Sequence, residues 1–344
     1  MLDILKVIQN GKKRILVLGD TIYDNYIMGE VLRMSPEAPV PILTPNKFEF
    51  KLGGAANVFN VINSFRGNVQ LCTLIGNDIE GQHIKNTLIG LDNDPSLIFV
   101  DESRITTKKT RLIKSNGSQL LRIDCEDVSP IHKDLLYIIT KVIREIVDQF
   151  DILVISDYAK GLVTDDLASI VIDIFRDKSK IVLTDPKSSC IEKYKNSYLI
   201  KPNLNEFNKF VASSRFGDSM ERLISHGEIL LKKSNAEYIY VTLGKKGGLL
   251  IGRSIKAQTI PAYGKSVVDI TGAGDTVIAA IALALAADIE LAESVRFASY
   301  AAGVCVGKIG ASTFDTCELQ NLMQKEGGNE QPIQNHVQSA PGVL

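Results

Sequence analysis

The stretch Val267-Val268-Asp269-Ile270-Thr271-Gly272-Ala273-Gly274-Asp275-Thr276 stands just ahead of an alanine-rich apolar run. Two glycines separated by one small residue let successive backbone N–H groups point the same way. A helix that starts there adds the positive end of its dipole, and the two effects together make an anion-binding nest. Asp275 sits among those donors. A carboxylate beside a phosphate site is repelled by its ligand, so it needs a chemical reason to be there. Accepting the proton of an attacking hydroxyl is such a reason. A bare Gly-x-Gly-Asp would serve equally well as a capped helix entry, so the string gains meaning from the rest of the chain.

Other residues have chemistry suited to a polyhydroxyl ligand. In Gly53-Gly54-Ala55-Ala56-Asn57 the paired glycines allow close backbone approach, and Asn57 can both donate and accept. Asp24 can match hydroxyls by accepting their protons in hydrogen bonds. Three cations suit an acceptor that already carries a phosphate. Lys160 follows Ser156-Asp157-Tyr158-Ala159 and Lys187 follows Asp185-Pro186, each just past an expected strand end, where ligands of open α/β sheets bind. Arg122 stands on the second arm of an expected hairpin. Lysine meets phosphate as a point charge and arginine as a bidentate fork. Each of the three could instead be a solvated charge or pair with an acid such as Asp124 or Asp157.

The elements that must position these groups show in the hydropathy pattern. Short apolar runs at Lys13 to Gly19, Val69 to Ile75, Asp151 to Asp157, Lys180 to Asp185, Tyr198 to Lys201 and Tyr238 to Leu243 read as buried strands. Helical patterns at Leu135 to Phe150, Leu167 to Lys178 and Glu221 to Ser234 lie between several of them. Strand and helix in alternation predict an α/β fold whose mostly parallel sheet is covered on both faces. Two stretches break the rhythm. Tyr26 to Phe50 carries prolines and alternating apolar residues. Arg104 to Cys125 places Asn116-Gly117 between two alternating runs, a strong hairpin signal. Both are expected to form a small β-rich lid. The tail from 325 is rich in Gly, Gln, Asn and Pro and is expected to be disordered, which leaves 1–324 as one domain.

Composition narrows the class. The 344 residues carry a formal net charge of −1, which argues against global attraction to nucleic acid or an anionic membrane. Cysteines 72, 125, 190, 305 and 317 form no C-x-x-C pair and no zinc spacing. The longest apolar run, Val277 to Ala287, is too short to span a bilayer and reads as a buried helix. With no signal-peptide pattern at the N-terminus, the expectation is a soluble, cytoplasmic protein. Gly264-Lys265-Ser266 ends like a Walker A loop, but the earlier glycine that motif requires is Thr259, so no P-loop is present.

From about Lys13 to Leu322 these motifs, in this order, resemble the ribokinase-like (PfkB) carbohydrate kinases, whose C-terminal signature is D-x-T-G-A-G-D. The resemblance implies a three-layer α/β/α fold with a lid at about 26–50 and 104–125. It makes Asp275 the catalytic base, with the Gly272, Ala273 and Gly274 backbone stabilising the transferred phosphoryl. It assigns ATP to Asn203, Leu204, Asn205 and Glu206 (the N-x-x-E element) and to Thr242, Gly244 and Gly247. It implies Mg²⁺ near Glu206 through water, a monovalent cation such as K⁺ at Asp269 and Thr271, and a homodimer formed through the lid. On the sugar side it points to Asp24, Gly54 and Asn57.

Several strings look closer to one subfamily, the heptose-7-phosphate kinases of bacterial ADP-heptose synthesis. These are Gly19-Asp20 with Asp24, Arg33-Met34-Ser35-Pro36-Glu37-Ala38-Pro39-Val40-Pro41, Ser156 to Gly161, Asp185-Pro186-Lys187 and Val306 to Thr313. Met34 departs from the expected Ile, a conservative apolar change. The implied reaction is ATP-dependent phosphorylation of D-glycero-D-manno-heptose 7-phosphate at its anomeric hydroxyl, on the route to the lipopolysaccharide core. Many members carry a second domain with a His-x-Gly-His motif. None of the four histidines here stands in that arrangement, so the kinase step alone is expected. The competing expectations are a kinase for another sugar, phosphosugar or nucleoside, and a sugar-sensing protein on the same fold.

Overall fold

The computed structural model describes residues 2–211, 219–264, 271–307, 316–327 and 334–335. Among these, β1 (Ile15–Gly19) and β8 (Ile152–Ser156) are buried along their whole length. They pair in parallel at the centre of a ten-stranded sheet. From one edge the sheet runs β14 (Gln334–Asn335), β13 (Gln258–Ile260), β12 (Gly248–Gly252), β11 (Tyr238–Thr242), β10 (Leu199–Ile200), β9 (Ile181–Asp185), β8, β1, β4 (Val69–Gly76) and β5 (Ile98–Asp101). The strands from β11 to β5 are parallel, and β12 to β14 add an antiparallel edge.

A strand shows its two faces alternately, and this alternation divides the core. Ile15, Val17, Ile152 and Val154 pack into one apolar cluster, with α2 (Ala55–Ser64), α8 (Ala273–Ala286) and α9 (Leu291–Cys305). Leu16, Leu18, Leu153 and Ile155 pack into another, with α4 (Lys133–Ile146) and α5 (Asp165–Asp177). Continuous apolar runs are what a sheet covered on both faces requires. The result is the expected three-layer α/β/α arrangement. Further along the sheet, α6 (Leu204–Phe210) and α7 (Met220–Ser234) cover the β10–β12 region with a third cluster. The alanine-rich α8 is buried from Asp275 to Ala286, as a helix that is apolar all round must be.

Four strands stand apart as a second sheet in the order β3-β2-β6-β7, comprising β2 (Thr21–Met34), β3 (Pro41–Gly54), β6 (Lys108–Lys114) and β7 (Gln119–Cys125). This is the lid. Its first hairpin is longer than the expected 26–50, reaching from Thr21 to Gly54, and the pairing continues through register shifts at Met28/Gly29 and Val31/Arg33. The hairpin around Asn116-Gly117 forms as expected, and β6 joins the two hairpins by pairing in parallel with β2.

Helix α3 (Ile79–Gly90) and a single 3₁₀ turn (Pro95–Leu97) connect β4 to β5, and α10 (Thr316–Gly327) runs past residue 325, the expected start of the tail. Strand β14 then pairs with β13. Among the described residues no helix is long and apolar enough to cross a membrane. All five cysteines are free, with Cys72 and Cys305 buried and the other three exposed.

Candidate active site

Gly272 takes the left-handed conformation (φ 78°) at the N-cap of α8, so the chain turns sharply into the helix and its first N–H groups are left without intrahelical partners. Asp275 lies in that first turn and is only 3% exposed. Its two carboxylate oxygens are held separately. Asn57 Nδ2 donates to Oδ2 at 2.8 Å and the Tyr158 hydroxyl donates to Oδ1 at 2.5 Å. Burial pushes the carboxyl up to about 7, against the two hydrogen bonds, which favour the charged form. A carboxylate that titrates near neutrality is suited to take up a proton at physiological pH.

The partners of Asp275 come from two walls. Asn57 is in the first turn of α2, which Gly53-Gly54 leads into from β3. Gly54 has φ 62°, and a Cβ on it would meet the Asp20 carbonyl oxygen at 2.3 Å. A Cβ on Gly53 would meet Asp24 Oδ2 at 2.2 Å, so the glycine pair is what admits Asp24 to the site. Asp24 is buried and ion-paired to Arg111 of β6. Burial raises its carboxyl, while Arg111, Lys109 and Arg122 act in the other direction.

On the other wall, the loop after β8 carries Tyr158 and Lys160. Sequence reasoning quoted Tyr158 within a motif and gave it no role. Lys160 Nζ pairs with Glu126 at 2.7 Å, and Arg122 pairs with Asp124 through two hydrogen bonds of 2.9 and 3.0 Å. Lys187 lies elsewhere, with its Nζ 3.2 Å from Glu206 Oε1. Arg122 and Lys160 thus stand at the lid side of the site, and Lys187 joins Glu206, the carboxylate of the N-x-x-E element.

That element is a capping box at the start of α6. Asn203 Oδ1 accepts from the Glu206 backbone N–H, and Glu206 Oε2 accepts from the Asn203 backbone N–H, both at 2.9 Å. Asn203 also bridges to Thr242 at the end of β11. The turn beyond it holds Gly244 (φ 59°) and Gly247 (φ 84°). Asn203, Leu204, Asn205, Glu206, Thr242, Gly244 and Gly247 therefore share the carboxyl edge of neighbouring strands.

Between this edge and the nest lies a buried ion pair that sequence reasoning missed, Lys201 Nζ to Asp185 Oδ1 at 2.9 Å. Gly274 looks onto it, since a Cβ there would lie 3.5 Å from Lys201 Nζ and 3.8 Å from Asp185 Oδ2. Burial raises the Asp185 carboxyl and the nearby Glu206 raises it further, while Lys201 and Lys187 act in the other direction. No group of three or more His, Cys, Asp and Glu among the described residues could hold a metal by itself. Two carboxylates beside a phosphate nest instead suit Mg²⁺, which keeps several waters and binds through one or two carboxylates plus substrate phosphates. Thr271 is described at the turn before α8, whereas Asp269 lies outside the described residues.

A buried carboxylate at a helix N-terminus, on the carboxyl side of a mostly parallel sheet under a β lid, is an arrangement suited to phosphoryl transfer. The family profile described as pfkB family carbohydrate kinase matches residues 12–317, and the chain belongs to that family. It is accordingly a phosphotransferase acting on a sugar hydroxyl, with ATP and a divalent metal. The chain is 36% identical over 333 residues to a Bifunctional protein HldE of Helicobacter hepaticus, covering 96% of this chain and 67% of that protein. It is 36% identical to one of Helicobacter pylori, covering 95% and 70%. Among solved structures it resembles phosphofructokinase-2 from Escherichia coli in complex with potassium, with a TM-score of 0.75, 19% identity, and 92% and 99% coverage. It also resembles Arabidopsis thaliana ribokinase complexed with ribose and ATP, with a TM-score of 0.68, 20% identity, and 91% and 99% coverage. These last two likenesses bear on the ribokinase-like fold.

Proposed function

We propose that the protein transfers the γ-phosphoryl of ATP to the anomeric hydroxyl of D-glycero-D-manno-heptose 7-phosphate, giving heptose 1,7-bisphosphate for ADP-heptose and lipopolysaccharide core synthesis in the cytoplasm. The observation that carries the kinase chemistry is Asp275, buried in the first turn of α8 and held between Asn57 and Tyr158. The heptose reading is supported by the Ser35-Pro36-Glu37-Ala38-Pro39-Val40-Pro41 string and by the likeness to the HldE proteins.

In this reading the acceptor lies between Asp24, Gly54 and Asn57. Its anomeric oxygen attacks the γ-phosphorus in line with the departing β–γ bridging oxygen. Asp275 takes the hydroxyl proton as the new O–P bond forms, and ADP leaves with the electrons of the broken bond. The Gly272-Ala273-Gly274 backbone and Lys201 stabilise charge on the equatorial oxygens. Mg²⁺, when bound near Glu206 and Asp185, neutralises charge on the nucleotide phosphates. Lid closure excludes water, which would otherwise compete as acceptor. Thr271, with Asp269, is the candidate for a K⁺ site.

The experiment is kcat/KM for heptose 7-phosphate against ribose, fructose and unphosphorylated heptose. A neutral sugar emerging as the best substrate overturns the phosphosugar reading. The lid also exposes Leu32, Met34, Phe48, Leu121 and Ile123, and a surface of this kind fits a homodimer through the lid. Static light scattering that gives a monomer at micromolar concentration refutes that assembly.

A further inference from the structure

The lid's register sets the charges on its inner face. Residues directly opposite one another on paired strands share a face, as do residues two apart along a strand. Asp24 of β2 pairs with Lys109 of β6, which pairs with Asp124 of β7. Two residues along, Tyr26 pairs with Arg111, which pairs with Arg122. One face of the lid therefore carries Lys109, Arg111 and Arg122 together. Arg111 and Arg122 stand directly opposite each other, an arrangement that is destabilising for like charges unless something negative offsets it. This face turns toward the active site, because the Lys109 ammonium lies over the ring of Tyr158, 5.9 Å from its centre. Tyr158 in turn holds Asp275.

The cations around Lys109 have a carboxylate each. Arg111 has Asp24, Arg122 has Asp124, and Lys160 has Glu126. Among the described residues Lys109 forms no ion pair of its own; it lies over Tyr158 and is flanked across the sheet by Asp24 and Asp124, which are engaged with Arg111 and Arg122. It is half-buried, and burial lowers its pKa; Asp24 and Asp124 act in its favour, while Lys160 and Arg122 add repulsion. With both aspartates already engaged by the arginines, the Lys109 ammonium is the cation of this face left to meet an incoming anion.

We propose that Lys109, on the inner face of the lid with Arg111 and Arg122 beside it, binds the phosphate that the acceptor sugar already carries, and so selects phosphosugars over neutral sugars. The inference rests on the phosphosugar reading of the site and names the residue responsible for it. The geometry suits that role. One tyrosine ring separates the ammonium from the base, so an acceptor with its anomeric hydroxyl at Asp275 extends its far end toward Lys109. Arg122, half exposed, can turn from Asp124 to complete the grip as a bidentate partner.

The test is the ratio of kcat/KM for heptose 7-phosphate to that for unphosphorylated heptose, together with KM for ATP, in wild type, Lys109→Met, Lys109→Arg and Lys47→Met. Lys47 is an exposed lid lysine paired with Glu49 and serves as the control for net charge. Lys109→Met is expected to lower the ratio by about 10- to 100-fold, the worth of a charge-assisted contact, mainly through KM for the phosphosugar. Lys109→Arg should keep most of the preference, and Lys47→Met all of it. Calorimetric titration with heptose 7-phosphate should show the same weakening without turnover. If wild type prefers the phosphosugar and Lys109→Met does too by the same ratio, the inference is wrong and the phosphosugar reading stands. If Lys109→Met raises KM for ATP alone, the anion served is the nucleotide's and the inference is again wrong. If wild type itself prefers the neutral sugar, the reading beneath the inference has failed.

Discussion

Tyr158→Phe is expected to move the acid limb of the pH–activity profile upward. In the role proposed for it, Asp275 takes up a proton only when deprotonated, so kcat/KM should be half-maximal near pH 7, up to which burial pushes its carboxyl. Below that it should fall tenfold per pH unit. The Tyr158 hydroxyl donates to Oδ1 at 2.5 Å and favours the charged form. Removing it leaves a buried carboxylate oxygen with one partner fewer, which raises the pKa further. A hydrogen bond to a charged group is worth about 1.5–3 kcal/mol, and one pH unit corresponds to about 1.36 kcal/mol. The limb should therefore rise by about one to two units, and at pH 7, where half the wild-type carboxyl is ionised, activity should drop by about 5- to 50-fold while recovering in alkaline buffer. The assay is kcat/KM for the acceptor across the pH range at saturating ATP. The nucleotide's γ-phosphate titrates in the same range but does so identically for both proteins, so the difference between the two profiles isolates Asp275. A wild-type limb near the ordinary carboxylate range, or a Tyr158→Phe limb that stays where the wild-type limb lies, refutes the reasoning.

Asp275→Asn should fold, bind ATP and lose about 10²- to 10⁴-fold in kcat, because the amide can pair with Asn57 and Tyr158 but cannot take a proton; turnover within a few-fold of wild type sinks the base assignment. The same variant should melt higher than wild type at pH 8. A carboxyl raised from 3.8 to about 7 contributes stability that is full below the unfolded pKa and is lost as pH rises through about 7, so thermal scans at pH 8 and pH 5 should show the gap between the two proteins shrinking in acid. Gly54→Ala should cost about 1–3 kcal/mol for its backbone conformation alone, with the clash against the Asp20 carbonyl added; an unchanged urea midpoint contradicts this.

Much of the layout is legible in the sequence because it is local. The strands β1 and β8 are continuous apolar runs, and the nest with Asp275 is a contiguous string. Residues brought together by register are not legible in this way. Tyr158 and Asp275 are 117 positions apart and meet only because the loop after β8 and the start of α8 lie at the same edge of the sheet. Lys109 and Arg111 read as ordinary charges on a hairpin arm, and only the pairing of β6 with β2 and β7 shows that they share a face with Asp24 and Arg122. Lys187, next to Asp185-Pro186, reads as a sugar-side cation, but the turn after β9 carries it to Glu206. Lys201 has no motif to mark it, and its importance shows only in its contact with Asp185 below Gly274.

One residue explains why the two partners of the base arrive together. Asp20, at the end of β1, is buried. Its carboxylate accepts the N–H groups of Tyr158, Lys160 and Leu162 at 3.0, 3.2 and 3.1 Å, and its carbonyl accepts the N–H of Ala55 at 3.0 Å. The loop that carries Tyr158 and the helix that carries Asn57 are thus pinned to the same point on the central strand. Burial and the nearby Asp157 raise the Asp20 carboxyl, a cost that the three N–H donors offset in part. Losing the side chain would leave those donors buried and unpaired, and the position of Tyr158 relative to Asp275 would no longer be set. The precision that the base requires is therefore built into the sheet through Asp20 and does not depend on the base's own helix alone.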